Sequence, residues 1–407
     1  MSRPQKTALF LTGGGARAAY QVGVLQAILS LLSETGWPSD KNPFDIVCGT
    51  SAGAINATAY ASRADNFEES VTHLLGIWRN LEVEQVYRAD SFGVIRSGAR
   101  WLSLLSFGWL LRKWHAQPPN SLLDNSPLVG LLHKMLDLPR LDAALASGHL
   151  SALAVSASSY TAGKHVTFYQ SAYDIPAWSR AQRMSLQQQI GVDHLLASSA
   201  IPLIFPAMPL YCGNRCEYFG DGSMREVAPI SPAIHLGASK VLVIGSGNIG
   251  GPERSFAEFS GYPSLAQIAG HAMSSIFLDG LSVDIERLGR INNTLSLLTP
   301  EQLTKTVLRP VEMLAITPSQ PLDSIASRHV GSLPLAIRTL LSAIGATERR
   351  GAALASYLLF ESSYTRSLIE LGQIDTLSRR DEVLRFFGVE ESPARAPIKA
   401  TSLENII

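Results

Sequence analysis

Five residues, Gly49-Thr50-Ser51-Ala52-Gly53, constrain this chain more than any others. They sit where an apolar run, Phe44-Asp45-Ile46-Val47-Cys48, gives way to the alanine-rich stretch Ala52 to Ala61. The first reads as a short strand and the second as a helix built from small residues. Ser51 then falls on a strand-to-helix turn, where flanking glycines let two backbones pass closely and leave the hydroxyl over a helix N-terminus. The helix dipole favours negative charge at that point. The same five residues also describe a helix-capping serine in a glycine-rich loop, and G-x-S-x-G arises by chance, so a nucleophile needs further support from the chain.

The rest of the pattern is that of an α/β protein. Thr7 to Thr12 reads as a strand, Gly13-Gly14-Gly15 as a turn and Ala18 to Leu32 as a helix with apolar residues at Val22, Leu25, Ile28, Leu29 and Leu32. Further strands are expected at Leu150 to Ser158, His165 to Tyr169, Glu217 to Phe219, Val241 to Ile244 and Met313 to Ile316, with helical stretches between most of them. Such alternation argues for a mainly parallel sheet covered on both faces, with chemistry at the carboxyl ends of the strands. Both glycine motifs lie at such ends.

Composition narrows the class. The chain has 407 residues, is 46% hydrophobic and balances 34 Lys plus Arg against 34 Asp plus Glu, so a sizeable core is affordable and no global field draws it to nucleic acid. The apolar run Ala8 to Leu11 is too short for a secretory core, and no uncharged apolar stretch approaches the roughly 18 residues of a membrane span, so a cytoplasmic protein is expected. Three cysteines make no disulfide framework. Cys48 is expected as a buried free thiol, while Cys212 and Cys216 flank a hairpin turn, Gly213-Asn214-Arg215, and could lie close together. No second Cys or His pair accompanies them at zinc-ligand spacing, so no metal is expected.

Residues 67–140 carry no strong strand and read as a helical insertion capping the site or one sheet edge. Within it Trp101, Trp109 and Trp114 lie among apolar residues flanked by Arg100, Arg112 and Lys113. This is first a core helix or subunit contact, and second an interfacial helix for peripheral membrane contact. Ser264 to Leu298 reads as one long helix, 319–389 as a helical extension without a catalytic constellation, and 390–407 as a mobile tail.

Gly13-Gly14-Gly15-Ala16-Arg17-Ala18 follows a strand and opens a helix, so its N–H groups converge on whatever anion lies in front. It satisfies G-x-G-x-x-A, with Glu34 or Asp40 near the spacing of a ribose-binding acid, which would make a dinucleotide site. It also suits an oxyanion hole for Ser51. A dinucleotide fold would put its acid at the end of the second strand, where Ser51 stands, and this favours the oxyanion hole. For a base, His235, His271 and His329 follow a candidate acid in α/β-hydrolase order, but that fold has several strands before its nucleophile. Asp221-Gly222 ends the strand Glu217 to Phe219, from which a carboxylate could reach the cleft; alone it is an ordinary turn dipeptide.

Taken together, Gly13 to Arg17, Gly49 to Gly53 and Asp221-Gly222 resemble, in order, the three motifs of the patatin-like phospholipase family. Ala197-Ser198-Ser199-Ala200-Ile201-Pro202-Leu203-Ile204-Phe205-Pro206 also resembles the block that precedes the aspartate in that family. The resemblance spans residues 7–318. It implies a three-layer α/β/α fold, a lipid acyl hydrolase with a Ser51–Asp221 dyad, and an oxyanion hole at Gly13, Gly14, Gly15 and Ala16, with Arg17, Gly49, Gly53 and Gly222 in support. It implies no cofactor, and a phospholipid or lysophospholipid substrate. The chain departs from the family pattern at Ala18, which replaces a glycine, and at Ser223, which replaces a glycine or alanine. An acyltransferase using the same acyl-enzyme is the alternative, although the related transacylases carry histidine where this chain has Thr50.

Overall fold

The computed structural model describes residues 5–89, 121–247, 264–343, 345–346 and 352–389. The tryptophan-rich segment, with Trp101, Trp109 and Trp114, lies outside them, as does the tail 390–407.

The described strands are β1 (Thr7–Leu11), β2 (Ile46–Thr50), β3 (Ala152–Ser159), β4 (Lys164–Ser171), β5 (Ser179–Arg180), β6 (Arg183–Gln187), β7 (Met208–Cys212), β8 (Arg215–Asp221), β9 (Lys240–Ile244) and β10 (Glu312–Ile316). They form one sheet of order β10-β9-β1-β2-β3-β4-β6-β5, with the β7–β8 hairpin attached to β3. From β10 to β3 all pairings are parallel. β4 and β8 both run antiparallel to β3. The expectation of a mainly parallel α/β sheet holds; the sequence pattern located β4 and β8 but not their antiparallel direction, and it left out β5, β6 and β7.

Helices cover both faces: α1 (Ala19–Glu34), α2 (Ala52–Ala61), α3 (Phe67–Trp78), α4 (Ser126–Met135), α5 (Leu138–Ala146), α6 (Val192–Ser198), α7 (Ser231–His235), α8 (Leu265–Ser274), α9 (Gly280–Ser296), α10 (Pro300–Leu303), α11 (Leu322–His329), α12 (Leu335–Ala343), α13 (Ala352–Leu358), α14 (Ser362–Leu377) and α15 (Arg380–Phe387). Strand alternation divides the core, as a period of two requires. Leu9, Leu11, Val47, Leu153 and Val155 join the α1 and α2 side chains on one face. Ala8, Phe10, Ile46, Cys48, Ala152 and Ala154 pack with Ala233 of α7 and Leu281 and Leu288 of α9 on the other. Each fully buried Leu or Val of this kind contributes about 1.5–3 kcal/mol relative to exposure.

The expected long helix Ser264 to Leu298 runs without a break from Leu265 to Ser296, and a wide π turn within it, Ser275–Asp279, joins α8 to α9. Such turns occur often at functional sites. At the C-terminal end, α14 lies directly on α1. A β-carbon at Gly23 would fall 2.0 Å from the Ile369 carbonyl oxygen, and one at Gly372 would fall 2.3 Å from that of Tyr20. The buried Tyr20 hydroxyl donates to Asp375 Oδ2 across this contact at 3.0 Å. Cys48, Cys212 and Cys216 are all free thiols. In the β7–β8 hairpin Cys212 is opposite Arg215 and Cys216 is opposite Tyr211, so the two thiol-bearing residues are not cross-strand partners.

Candidate active site

β3 acts as the ruler that brings two strand ends together. Its residue Ser156 is paired with Thr50, the last residue of β2, and its next residue, Ala157, with Asp221, the last residue of β8. β4 occupies the other side of β3 along its whole length. β8 therefore continues, antiparallel, the line where β2 stops, and the two strands meet tip to tip. Ser51 follows one tip and Asp221 forms the other. Ser51 Oγ donates to Asp221 Oδ2 at 2.5 Å, 170 residues apart in sequence.

The turn that carries Ser51 is strained and locked. Ser51 has φ of 57° and ψ of −131°, a region that costs a non-glycine residue on the order of 1–3 kcal/mol. Its glycine neighbours are there for space: a β-carbon at Gly53 would meet the Leu11 carbonyl oxygen at 2.2 Å, and one at Gly49 the Gly53 carbonyl oxygen at 2.4 Å. The helix start is thus pressed onto the end of β1. From the other side, the Ser51 N–H donates to Ser198 Oγ at 2.9 Å, and Ser198 Oγ donates to the Ser156 carbonyl at 2.6 Å. Two residues further on, the Ala200 carbonyl accepts the Asp221 N–H at 2.9 Å. The Ala197 to Pro206 block therefore holds both members of the pair, a role that its sequence alone did not reveal.

Asp221 is fully buried, and its pKa is raised to about 6 by desolvation, which outweighs the hydrogen bond from Ser51. The Ser223 N–H donates to the second oxygen, Oδ1, at 2.9 Å. Gly222 sits where a β-carbon would fall 2.3 Å from the Ser156 carbonyl oxygen. Beneath the pair, Thr50 Oγ1 donates to Glu226 Oε1 at 2.5 Å. Burial raises the Glu226 pKa to about 8, and His165, 3.9 Å away, is pushed down to about 4 by the same cause. Near neutral pH these two are a neutral acid and a neutral imidazole.

The glycine loop faces Ser51. A β-carbon at Gly13 would lie 3.0 Å from Ser51 Cβ, and the buried N–H groups of Gly13 and Gly14 donate to no acceptor among the described residues. Gly15 combines φ of +55° with a backbone contact, since a β-carbon there would meet the Tyr357 carbonyl oxygen at 2.2 Å. Ala16 is buried behind it. Arg17 does not point at Ser51. It is 5% exposed, its Nε donates to Ser356 Oγ at 2.7 Å, and its guanidinium lies 4.0 Å from the Tyr357 ring centre. It fastens the loop to α13, and its charge is held by a ring face and a hydroxyl. Ala18 packs at the start of α1, where its carbonyl accepts Asn56 Nδ2 of α2 at 3.2 Å.

The dinucleotide alternative finds no support. Glu34 is at the far end of α1, bonded to Arg380 at 2.6 Å, and the Asp40 carbonyl accepts the Phe67 N–H. None of the candidate histidines bonds to Ser51. His235 stacks on Trp178 and contacts the Ser231 carbonyl, His329 lies against Ser367, and His271 sits in α8.

A cleft of about 530 Å³, open space at its mouth included, has Gly15, Ser51 and Ser199 in its lining. The rest of the lining is apolar and includes Trp78 of α3, Leu128 and Met135 of α4, Ile201, Phe205 and Phe360. The C-terminal helices, expected only to pack, thus reach the site. Phe277 of the π turn stacks on Tyr357 at 5.0 Å and would contact a Gly13 β-carbon at 3.0 Å. No residue pattern marks such apolar contacts in advance. Among the described residues no cluster of His, Cys, Asp or Glu could hold a metal ion, and no helix is long and apolar enough to cross a membrane.

These features define an α/β protein with a glycine-flanked serine on a strand-to-helix elbow, hydrogen-bonded to a buried aspartate. The chain belongs to the patatin-like phospholipase family, whose model matches residues 9–234. Three solved structures are similar at low identity. VipD from Legionella pneumophila is 15% identical, with 91% of this chain and 67% of that chain covered and a TM-score of 0.30. The complex of full-length SpcU with full-length ExoU from the type III secretion system of Pseudomonas aeruginosa gives 17%, 87%, 71% and 0.24 for the same quantities. A structure of the type III effector ExoU gives 15%, 98%, 91% and 0.25. Scores this low add no weight. No curated protein matches the sequence.

Proposed function

We propose that the chain is a lipid acyl hydrolase working through a Ser51–Asp221 dyad on a phospholipid or lysophospholipid. The observation that carries the proposal is the 2.5 Å hydrogen bond from Oγ of Ser51, which lines an apolar cleft, to Asp221 Oδ2. Ser51 Oγ attacks the ester carbonyl while Asp221 takes its proton. The tetrahedral oxyanion is held by N–H groups of the Gly13 to Ala16 loop, each worth on the order of 10²–10³ in rate. Asp221 returns the proton to the departing alcohol, leaving an acyl-enzyme. In the second half Asp221 takes a proton from water, whose oxygen attacks the acyl carbon, and returns it to Ser51 as the fatty acid leaves. A base held near pKa 6 is ionised at neutral pH and stronger than an exposed aspartate, as general-base work requires. The apolar cleft suits the acyl chain.

A fluorophosphonate probe tests the nucleophile. We expect wild type to be labelled and Ser51→Ala to be unlabelled; equal labelling of both would sink the proposal. A panel of short esters, lysophospholipids, diacyl phospholipids and triacylglycerol then assigns the substrate.

A further inference from the structure

The dyad chemistry assigns no role to the hydroxyl of Ser223. Its backbone N–H holds Asp221 Oδ1 at 2.9 Å, but the side chain does something else. The residue is 4% exposed, and among the described residues its Oγ has no partner in good hydrogen-bond geometry. Leaving a buried hydroxyl unpaired costs about 1–3 kcal/mol, so its position calls for a ligand. It lies beside the reacting centre. A β-carbon built on Gly13 would meet Ser223 Oγ at 2.4 Å and Ser51 Cβ at 3.0 Å, so the hydroxyl, the nucleophile and the glycine loop border one small volume. Phe277 closes that volume from the side at 3.0 Å from the same point. The Ser223 hydroxyl also lies close enough to the Asp221 carboxylate to lower its pKa, as an approaching hydrogen-bond donor does, although burial keeps that pKa raised.

We propose that Ser223 is a further catalytic residue, whose Oγ donates a hydrogen bond to the tetrahedral centre formed on Ser51, as a side-chain partner to the backbone donors of the glycine loop. The inference rests on the Ser51 reaction proposed above. A hydroxyl is well placed for this work because it rotates to its acceptor, and a donor already desolvated in the free enzyme loses no water when the oxyanion forms. Glycine or alanine at this position would supply no such donor.

Ser223→Ala and Ser223→Gly test it, with thermal melting to confirm folding. Both should lower kcat on a long-chain ester by roughly 10²-fold with KM little changed, the loss typical of one oxyanion donor. Affinity for a long-chain trifluoromethyl ketone, which forms a tetrahedral adduct with serine, should fall in parallel, while affinity for the free fatty acid should not. The acid limb of the pH profile should move slightly upward, because the hydroxyl that lowers the Asp221 pKa is gone, but the loss should persist on the plateau above it. Wild-type kcat and ketone affinity in both variants would overturn the proposal. So would a shifted acid limb with an unchanged plateau, which would make Ser223 a positioning residue for Asp221. Fluorophosphonate labelling separates the two levels: an unlabelled wild type removes the Ser51 reaction itself, whereas full labelling with active Ser223→Ala removes only this inference.

Discussion

The two ends of the chain meet at one site but are built on different terms. The N-terminal part, with residues 197–223, supplies the groups we propose to react or to hold reacting groups: Gly13 to Ala16, Ser51 and Asp221. The C-terminal part supplies shape. The Tyr357 carbonyl fills the space that makes Gly15 obligatory, Ser356 anchors Arg17, Phe277 shuts the volume beside Gly13, and Phe360 walls the cleft. A reacting group needs a particular side chain at a particular spacing and so leaves a motif. A packing surface needs only volume and apolarity, which many residues provide. The family model accordingly stops at residue 234, while the site does not.

Substitutions on the two sides should therefore fail differently. The largest effect is expected at Gly53→Ala, whose β-carbon must enter the Leu11 carbonyl at 2.2 Å. Backbone cannot yield cheaply there, so activity should be abolished and the melting midpoint sharply reduced; an active, stable variant would mean that β1 and α2 are not in close contact. Next is Arg17→Lys. Lysine keeps the charge but cannot reproduce the Nε bond to Ser356 and the stacking on Tyr357, so turnover should drop roughly ten-fold as the glycine loop loses its support. If activity and stability are both unchanged, the C-terminal helices do not brace the loop. Phe360→Ala should be the mildest, raising KM several-fold for long-chain esters and leaving short-chain esters alone, since an exchanged wall residue costs about 1–3 kcal/mol per lost apolar contact. Equal effects on both chain lengths would make Phe360 structural.

Stability and activity should also part company at the aspartate. Asp221 titrates near pH 6 in the folded protein and near 3.8 when unfolded. The folded state holds this proton more tightly, so its contribution to stability is full below pH 3.8 and lost as pH rises through 6. Asp221→Asn, which does not ionise, should match wild type in strong acid and exceed it above pH 6, by up to about 3 kcal/mol. Chemical denaturation at pH 4 and pH 8 checks this; equal stability at pH 8 would mean that the carboxylate is not desolvated.

What the sequence made legible follows the same division. The parallel strands β1, β2, β9 and β10 are short apolar runs bounded by turn residues, and they were readable within two residues of their ends. β4 and β8, which run antiparallel to β3, were readable within the same margin, but β5, β6 and β7 were not. β6, Arg183–Gln187, is partly exposed and polar near a sheet edge, and β7, Met208–Cys212, contains Pro209, which argues against a strand unless it lies at an edge. Within the site, Ser51 and Asp221 were visible because their motifs occur in order, although only the register on β3 explains why they touch. Ser198, Glu226, Phe277 and Tyr357 were not visible: each acts through a contact made only in the folded chain, with no spacing relative to Ser51 to betray it. Gly15 was readable as a loop glycine, but the reason it must be glycine lies more than 300 residues away, at Tyr357.

The most direct test of the Ser51–Asp221 pairing is kcat/KM of Asp221→Asn against wild type, on one ester substrate at pH 8, where the wild-type aspartate is ionised. Asparagine keeps the shape and can still accept the Ser51 hydrogen bond, but it cannot take the proton. A loss on the order of 10³-fold or more is expected, with the fold intact. A loss of less than about ten-fold, or an equally large one in His165→Ala instead, would contradict aspartate as the base.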